Sequence, residues 1–324
     1  MQRALITGGA GFIGSTLADR LLKQGVSVAI IDDFRTGRRE FVSAALAGGA
    51  ELFDGDVLDE SLLRRAMQGC DTVFHLQANA DVRHGLEHPR RDLEQNTIAT
   101  SNVLEAMRGY GARRICFSST GSVYGEPEVF PTPEDAPFPV QTSLYAASKL
   151  AGEGMIGAYA HGYGFRGIVF RFVSLLGERY THGHVIDFYR ALRADPSTLR
   201  VLGDGRQTKS YLYVQDCVSA MLTAVAHHGD DRGCDVYNLG TDETITVDES
   251  IATITSHLGL QPEIEKTGGR RGWAGDSPMI QLDTARIRSL GWTPSLTIRE
   301  ALASTLDWFE REPEIVLGQE AHQP

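Results

Sequence analysis

Short apolar runs alternate with longer amphipathic stretches along the first half of the chain. The runs RALIT, VSVAIID, DTVFHLQA, ARRICFSS and RGIVFRFV are rich in apolar and β-branched residues, which is typical of buried strands. The stretches between them, such as GFIGSTLADRLLKQG and SLYAASKLAGEGMIGAYAHGYG, carry apolar residues at helical spacing. This alternation predicts an α/β fold, with a doubly wound parallel sheet and helices on both of its faces.

The second half of the chain is less regular and predicts a smaller mixed α/β lobe above the carboxyl end of the sheet. Thr246 with Glu249, and Thr297 with Glu300, follow the capping-box pattern. In a capping box two side chains satisfy the first backbone amides of a helix. We therefore expect helices to begin at both threonines.

The length of the chain agrees with two lobes. A chain of 324 residues exceeds the size at which a single hydrophobic core usually stops growing. We expect a first domain over residues 1–173, to which part of 210–240 returns, and a second lobe over 174–324.

Charge and cysteine content narrow the possible partners. Thirty-one basic and 42 acidic side chains give a net charge of −11, which disfavours binding to nucleic acid or to anionic membranes. The four cysteines are scattered without a C-x-x-C pair, and no apolar segment is long enough to span a membrane. The start of the chain does not resemble a leader, so we expect a cytoplasmic, unanchored protein with reduced core cysteines.

The first predicted strand runs into a glycine-rich turn. Gly8, Gly11 and Gly14 lie three residues apart in LITGGAGFIG, which ends a strand and begins a helix. Such a turn lets backbone amides approach a pyrophosphate, and the positive end of the helix adds to the attraction. The second strand ends at Asp32, where a carboxylate can accept hydrogen bonds from a ribose. The pattern predicts a dinucleotide site.

The residues after the second strand favour NAD over NADP. Asp32 and Asp33 are consecutive carboxylates and would repel a 2′-phosphate. Arg35, Arg38 and Arg39 follow closely and are the alternative, because arginines can hold such a phosphate.

A candidate acid–base pair lies in SLYAASKLAGE. Tyr145 and Lys149 are four residues apart, so a helix places both side chains on one face. A free tyrosine has a pKa of about 10 and is a poor base at neutral pH. A nearby cation favours the phenolate and lowers that pKa. The hydroxyl-rich stretch SSTGSVYG, residues 118–125, follows a predicted strand shortly before this pair.

Four motifs together resemble the extended short-chain dehydrogenase/reductase family. They are T-G-G-A-G-F-I-G, H-L-x-A at 75–78, S-S-T-x-x-V-Y-G and Y-x-x-x-K, in this order. The resemblance continues through LGDGRQTKSYLYVQD to RGWAGD, and is strongest to the nucleotide-sugar 4-epimerases. It implies a Rossmann domain with tightly bound NAD and a C-terminal lobe that binds a UDP-sugar. It also implies a homodimer formed by the helices after Asn96 and after Ser143.

The resemblance also implies the roles of particular residues. The catalytic group is Thr120, Tyr145 and Lys149. Gln77 stands where the family usually has a small residue, and Lys209 stands where it usually has arginine. The implied cofactor-binding residues are Gly8, Gly11, Phe12, Ile13, Gly14, Asp32, Asp33, Arg35, Thr36, Gly37, Asp56, Val57, Leu76, Gln77, Ala78, Asn96, Tyr145, Lys149 and Val173. The implied substrate-binding residues are Gly121, Ser122, Ser174, Val185, Lys209 and Arg271, the last in preference to Arg270.

The family mechanism is then implied as well. Tyr145, as a phenolate, removes the proton of the sugar 4-hydroxyl, and Thr120 shares the hydrogen bond. Hydride passes from carbon 4 to NAD and gives a 4-keto sugar, while Lys149 holds the nicotinamide ribose. Return of the hydride to the opposite face inverts carbon 4.

The alternatives within the family differ in the SSTGSVYG stretch. The family's 4,6-dehydratases carry an acid pair where Gly121 and Ser122 stand, and its UDP-glucuronate decarboxylases carry a glutamate where Ser122 stands. Neither Gly121 nor Ser122 is an acid or a base at neutral pH. An epimerase is therefore favoured over a UDP-sugar dehydratase or decarboxylase. A non-catalytic NAD-binding regulatory protein is the alternative from another class, although Thr120, Tyr145 and Lys149 are all present.

The sugar is less well defined by the sequence. Ser174 replaces the asparagine of UDP-glucose 4-epimerases, and its segment resembles that of UDP-glucuronate 4-epimerases. Small hydroxyls at Thr120, Ser122 and Ser174 would cradle a carboxylate, because hydrogen bonds to a charged acceptor are about twice as strong as neutral ones. We favour UDP-glucuronate, and UDP-glucose/UDP-galactose is the alternative.

One histidine pair has the spacing of a metal site. His182 and His184 occur in THGHVIDFY without an acidic or cysteine partner nearby. We expect a solvated loop there and no metal.

Overall fold

Fourteen strands are present in the structure, a computed structural model that describes residues 1–79, 85, 87–138, 140–228, 232–271 and 279–318. The strands are β1 (Arg3–Thr7), β2 (Ser27–Asp32), β3 (Glu51–Asp54), β4 (Thr72–His75), β5 (Arg114–Thr120), β6 (Arg166–Phe172), β7 (Ser174–Leu176), β8 (Thr198–Val201), β9 (Thr208–Lys209), β10 (Tyr211–Tyr213), β11 (Gly233–Leu239), β12 (Ile245–Thr246), β13 (Glu263–Lys266) and β14 (Met279–Ile280).

The helices alternate with the strands in the first half, as predicted. A π-helical segment (Leu93–Ile98) joins α4 to α5, and a 3₁₀ turn (Gly121–Tyr124) follows β5. The α-helices of the described residues are α1 (Phe12–Lys23), α2 (Arg39–Ala47), α3 (Glu60–Met67), α4 (Pro89–Asp92), α5 (Ala99–Tyr110), α6 (Leu144–Tyr163), α7 (His184–Ala194), α8 (Val214–His228), α9 (Val247–Leu258), α10 (Ala285–Arg288), α11 (Ile298–Arg311) and α12 (Pro313–Leu317).

Seven strands form one sheet, in the order β11-β6-β5-β4-β1-β2-β3, and all its neighbouring pairs are parallel. Side chains alternate between its two faces. On β1, Ile6 joins the hydrophobic cluster that includes α1 and α8, whereas Leu5 joins the one that includes α3, α5 and α6. Both faces are covered by helices, so the predicted doubly wound α/β fold is confirmed. β11 belongs to this sheet although it follows residue 174 in the chain.

The second half builds short sheets and a third hydrophobic cluster. β7 pairs with β10, β8 with β13, and β9 lies between β12 and β14. The cluster combines apolar side chains of α7, α9 and α11. Thr246 and Thr297 both accept a hydrogen bond from the amide of the glutamate three residues later, and both glutamates return it. The two predicted capping boxes are confirmed.

Some sequence expectations were incomplete. The apolar pattern did not predict α2 or β3, because both are short and β3 is partly exposed. Cys70, Cys116 and Cys217 are buried as expected, but Cys234 is exposed on β11, so its assignment to the core was wrong. None of the helices in the described parts of the chain has the length and apolar character needed to cross a membrane.

Candidate active site

The predicted cofactor residues lie at the carboxyl ends of the central strands. The strand order reverses at β1, which has β2 on one side and β4 on the other. At such a point neighbouring loops diverge and leave a crevice where ligands bind. Gly8 follows β1 and Leu76 follows β4, and the Leu76 amide donates to the carbonyl of Thr7 at 3.2 Å. These segments border the crevice.

The glycine-rich turn leaves no space for side chains. Gly8 has a φ of +68°, and an added Cβ there would lie 2.8 Å from the backbone nitrogen of Gln77. At Gly14 an added Cβ would overlap the carbonyl oxygen of Gly8 and lie 2.8 Å from Gly9 Cα. Gly11 is the N-cap of α1, and no side chain caps it. The positive end of α1 is thus open to a diphosphate, so these residues fit the predicted dinucleotide.

Asp32 is fixed at the end of β2 by backbone amides. Its carboxylate accepts hydrogen bonds from Ala10 at 2.8 Å and Phe34 at 2.9 Å. Burial raises the pKa of this carboxyl group, while the two amides lower it. An added Cβ at Gly37 would lie 2.7 Å from Asp32 Oδ1, so only glycine permits this approach.

Arg35 is engaged by carboxylates. Its Nε lies 3.0 Å from Asp33 Oδ2, and its Nη2 lies 2.9 Å from Asp56 Oδ2. The same Asp56 oxygen accepts from Gln95 Nε2 at 2.8 Å. Gln95 was not predicted, since the π-helical segment that carries it shows no sequence signal of a site. The pairing of Arg35 favours NAD over NADP.

Gln77 and Asn96 link the crevice to the helices behind it. Gln77 Nε2 donates to Gln95 Oε1, and Asn96 Nδ2 donates to Ser148 Oγ on α6 at 2.8 Å. Asn96 Oδ1 also accepts from the amide of Asn79 at 2.8 Å. Among the other predicted cofactor residues, Thr36 is exposed, Phe12, Ile13 and Ala78 are partly buried, and Val57 and Val173 are buried.

Thr120 ends β5 and begins the 3₁₀ turn. Its Oγ1 accepts from the amide of Ser122 at 3.1 Å and lies 3.2 Å from Ser122 Oγ. This cap is the local reason why SSTGSVYG leaves the strand at this residue. Thr120 also lies close enough to the phenol of Tyr145 to lower the pKa of that group. The structure therefore brings the predicted hydroxyl and the predicted base together.

Helix α6 carries Tyr145 and Lys149 on one face. Ser143 is its N-cap and accepts from the amide of Ala146 at 3.1 Å. Lys149 is 1% exposed, and its Nζ lies 3.4 Å from Ser118 Oγ and 4.7 Å from the centre of the Phe117 ring. The ammonium group is thus held against the end of β5.

Burial dominates the protonation of both groups. It raises the pKa of Tyr145 to about 12, as does the charge of Asp92, whereas the hydrogen bond of Thr120 lowers it. Burial lowers the pKa of Lys149 to about 7, although Glu153 and Asp92 raise it. A partly buried phenol and a buried amine with shifted pKa values beside a ligand crevice are typical of an acid–base site.

The predicted substrate residues occupy different surroundings. Ser174 is exposed at the start of β7, and Lys209 on β9 lies near His184. Arg271 Nη2 lies 2.5 Å from Glu126 Oε1. The side chain of Val185 is fully buried in the third cluster, so only its backbone is available to a ligand. Gly121 and Ser122 form the turn after Thr120, and the residues 272–276 of RGWAGD lie outside the described residues.

The expectation of a solvated loop at the histidine pair is wrong for His184. This residue begins α7, and its Nδ1 lies 3.2 Å from the hydroxyl of Tyr211. Burial and the charge of Lys209 lower the pKa of His184 to about 4. His182 is exposed. No group of three possible metal ligands occurs among the residues that the structure describes.

Comparisons with known proteins agree with this geometry. Residues 4–240 match the NAD dependent epimerase/dehydratase family. The chain belongs to this family. The UDP-glucose 4-epimerase of Mycolicibacterium smegmatis is 34% identical over 319 residues, which cover 96% of this chain and 99% of that relative.

Two crystal structures support the same relationship. A UDP-galactose 4-epimerase superimposes with a TM-score of 0.86 at 38% identity, covering 96% of this chain and 99% of that one. The UDP-glucose 4-epimerase of Thermus thermophilus, solved in complex with NAD, has a TM-score of 0.84 at 33% identity, covering 95% of this chain and 99% of that one. The predicted cofactor, NAD, is confirmed by the family.

Proposed function

We propose that this family member is a UDP-sugar 4-epimerase that inverts carbon 4 through a transient 4-keto intermediate. The observation that carries the proposal is the contact between Thr120 and Tyr145 beside the buried Lys149. The turn that follows Thr120 holds no acid, since its residues are Gly121–Tyr124. Elimination or decarboxylation on the pattern of the related enzymes needs an acidic side chain there. The 4-epimerase names of the similar proteins support the same reaction.

The chain's own residues perform the proton transfers. Tyr145, as a phenolate, takes the proton of the sugar 4-hydroxyl, and the hydroxyl of Thr120 holds the same oxygen by a hydrogen bond. Bound NAD supplies the acceptor for the hydride of carbon 4, and its positive charge favours the phenolate. Lys149, in its ammonium form, adds a second positive charge, and its side chain would hold the nicotinamide ribose. The proton returns from Tyr145 when the hydride reaches the opposite face of the 4-keto sugar.

We infer that the two parts of the chain divide the binding. The cofactor is held by residues 1–173 together with β11, and the UDP-sugar is held mainly by residues 174–324. Lys209 supplies a point charge for the diphosphate. Arg271 releases its ion-pair partner Glu126 and binds the diphosphate instead.

We propose UDP-glucose and UDP-galactose as the substrate pair, because the similar proteins with at least 33% identity are named for these sugars. UDP-glucuronate is the second candidate. The exposed hydroxyl of Ser174 and that of Ser122 favour it, since both can donate to a carboxylate.

We also propose a homodimer formed through α5 and α6. Leu93 and Ile98 before α5, and Leu144 at the start of α6, are 49%, 41% and 39% exposed. These residues lie on elements that contact one another, and exposed apolar side chains on adjoining elements are what such an interface would cover. Sedimentation of the protein tests this proposal, and a single species with the mass of one chain would contradict it.

Incubation with single nucleotide sugars tests the reaction. The purified protein is mixed with UDP-glucose, UDP-glucuronate or their N-acetyl counterparts, and products are separated by anion exchange and weighed by mass spectrometry. We expect an isomer of unchanged mass from UDP-glucose. Loss of water or carbon dioxide would contradict the proposal.

Tyr145→Phe tests the assigned base. The variant keeps the ring and loses the hydroxyl, so we expect bound NAD to remain and turnover to fall by about 1,000-fold or more. Normal turnover in this variant would contradict the role of Tyr145.

A further inference from the structure

A buried ion pair lies directly behind the candidate active site. Arg171 on β6 donates to Glu153 on α6 through Nε at 3.0 Å and through Nη2 at 2.7 Å. The two side chains are 4% and 8% exposed. The paired contacts give the bidentate geometry that makes such pairs strong and specific. Neither residue was predicted as part of the site.

The pair contacts both sides of the Thr120 turn. Ser119, which precedes Thr120, donates through its hydroxyl to Glu153 Oε1. Tyr124, at the end of the turn, lies with its hydroxyl 2.7 Å from Arg171 Nη1, and its ring centre is 4.9 Å from the guanidinium. Movement of either charged side chain would therefore shift the turn that carries Thr120.

The contacts continue across the sheet. The hydroxyl of Tyr124 donates to Asn238 Oδ1 on β11 at 2.8 Å, and Arg171 Nη1 donates to the carbonyl of Glu134 at 3.0 Å. The backbone amide of Asn238 in turn donates to Glu134 Oε1 at 2.9 Å. The network thus connects α6, β6, β11 and both ends of the Thr120 turn.

The pair also lies beside the candidate amine. Glu153 is one helical turn after Lys149 on the same face of α6, and its charge favours the ammonium form. Among the described residues, Asp92 on α4 and His75 on β4 also interact electrostatically with Lys149, and the titratable Tyr145 lies on the same face of α6. Ser118 and the Phe117 ring face it from β5.

Stability alone does not account for a pair of this kind. Replacing a buried ion pair by apolar residues of similar size is often neutral or stabilising, whereas losing one partner leaves a costly unpaired charge. The contacts of Glu153 and Arg171 converge on the turn of Thr120 and on the helix of Tyr145 and Lys149.

We propose that Glu153 and Arg171 act as one positioning pair, which holds Thr120 in register with the helix of Tyr145 and Lys149. This inference rests on the proposed function of those three residues. The charge of Glu153 also favours the ammonium form of Lys149, and Arg171 neutralises that charge through the ion pair.

Single and double variants separate positioning from a general structural role. Glu153→Gln removes a negative charge and leaves Arg171 unpaired, so the Lys149 ammonium loses its proton at lower pH. Arg171→Gln leaves the negative charge unpaired and has the opposite effect. We expect shifts of about one pH unit in opposite directions, and a midpoint near that of the wild type in the double variant.

Two measurements report these shifts. The chain has four lysines, so the side-chain nitrogen resonance of Lys149 can be assigned by its loss in Lys149→Arg and followed against pH. The pH at which turnover falls on the alkaline side of its pH profile should shift in the same direction as the Lys149 midpoint. We expect kcat to fall about 10- to 100-fold in each single variant while KM stays within about threefold.

Arg166→Gln is the matched control. Arg166 begins the same strand, and its Nη2 lies 2.5 Å from Asp235 Oδ2, but it is about 16 Å from Arg171 along β6. This variant should lose stability without a change in the Lys149 midpoint. Circular dichroism and the content of bound NAD confirm that each variant is folded.

The outcomes are distinguishable. An unchanged Lys149 midpoint in Glu153→Gln, or shifts of the same sign in both single variants, would overturn the positioning pair. If the wild type converts no UDP-sugar while the Lys149 shifts occur as expected, the proposed function fails and the electrostatic coupling stands.

Discussion

The glycine at position 14 shows how a single residue decides whether the cofactor crevice can form. Its added Cβ would overlap the carbonyl oxygen of Gly8, and neither backbone segment can move freely because both pack at the end of β1. Gly8 and Gly14 of the three-residue glycine spacing therefore lie where a side chain would overlap neighbouring backbone atoms.

We predict that Gly14→Ala loses bound NAD. The methyl group would push α1 away from the turn and widen the space where the pyrophosphate meets the helix. Cofactor released by denaturation and measured by absorbance checks this, with wild-type protein as the reference. Gly154→Ala is the control, because Gly154 lies on α6 with open space around it and should keep NAD. Retention of NAD by Gly14→Ala would show that the turn tolerates a side chain.

Individual site residues differ in how far the sequence reveals them. Tyr145, Lys149 and Thr120 belong to short motifs, and the structure brings them together. Glu153 and Arg171 are 18 residues apart in the sequence and meet because α6 packs against β6. No local sequence pattern therefore marks them. His184 resembled a loop residue because its contact with Tyr211 depends on tertiary packing.

Secondary-structure elements place the chemistry, and α6 does so most directly. Tyr145 is the second residue of this helix, immediately after the Ser143 cap and Leu144. An N-cap side chain satisfies one of the first backbone amides and limits fraying of the first turn. The position of the phenol therefore depends on the cap.

We predict that Ser143→Ala destabilises the protein by about 1 kcal/mol and lowers kcat. Fraying of the first turn would spread the positions of Tyr145. Urea unfolding gives the stability and steady-state kinetics gives kcat. Thr246→Ala removes an equivalent cap from α9 in the second lobe, so it should cost similar stability and leave kcat unchanged. Equal loss of kcat in both variants would argue against a special role of the α6 cap.

Elements with strong periodic patterns were predictable, and irregular ones were not. The five apolar runs of the first half became β1, β2, β4, β5 and β6. The strand β3 has only four residues and is partly exposed, so its sequence lacks a continuous apolar run. The π-helical segment before α5 follows a helical pattern in the sequence, which does not distinguish a π-helix from an α-helix, and it packs against α6.

The stability of the whole molecule depends on pH through histidines whose pKa values are lowered in the folded protein and return to near neutral when the chain unfolds. His75 is fully buried at the end of β4, with Nδ1 2.7 Å from Thr7 Oγ1 and Nε2 3.0 Å from Thr100 Oγ1. Burial, together with the charge of Lys149, lowers its pKa from 6.5 to about 3. Between these values the unfolded chain binds more protons than the native protein, so stability falls as the pH drops below 6.5.

We predict that the free energy of unfolding decreases between pH 7 and pH 5, with a contribution of about 2 kcal/mol from His75. His184 adds to this loss because its pKa is lowered to about 4. Urea unfolding at both pH values measures the difference, and His75→Gln should reduce it. His161→Gln, the same substitution at an exposed histidine, provides the control. A pH dependence that His75→Gln does not alter would contradict this account.

Inversion at carbon 4 by a hydride that leaves and returns is the central claim for the whole protein. It is tested most directly with UDP-glucose that carries deuterium at carbon 4, incubated with the protein in ordinary water. We predict UDP-galactose of unchanged mass that keeps the deuterium at carbon 4, because the hydride never exchanges with solvent. Washing out of the deuterium, or a product that has lost water, would contradict the account.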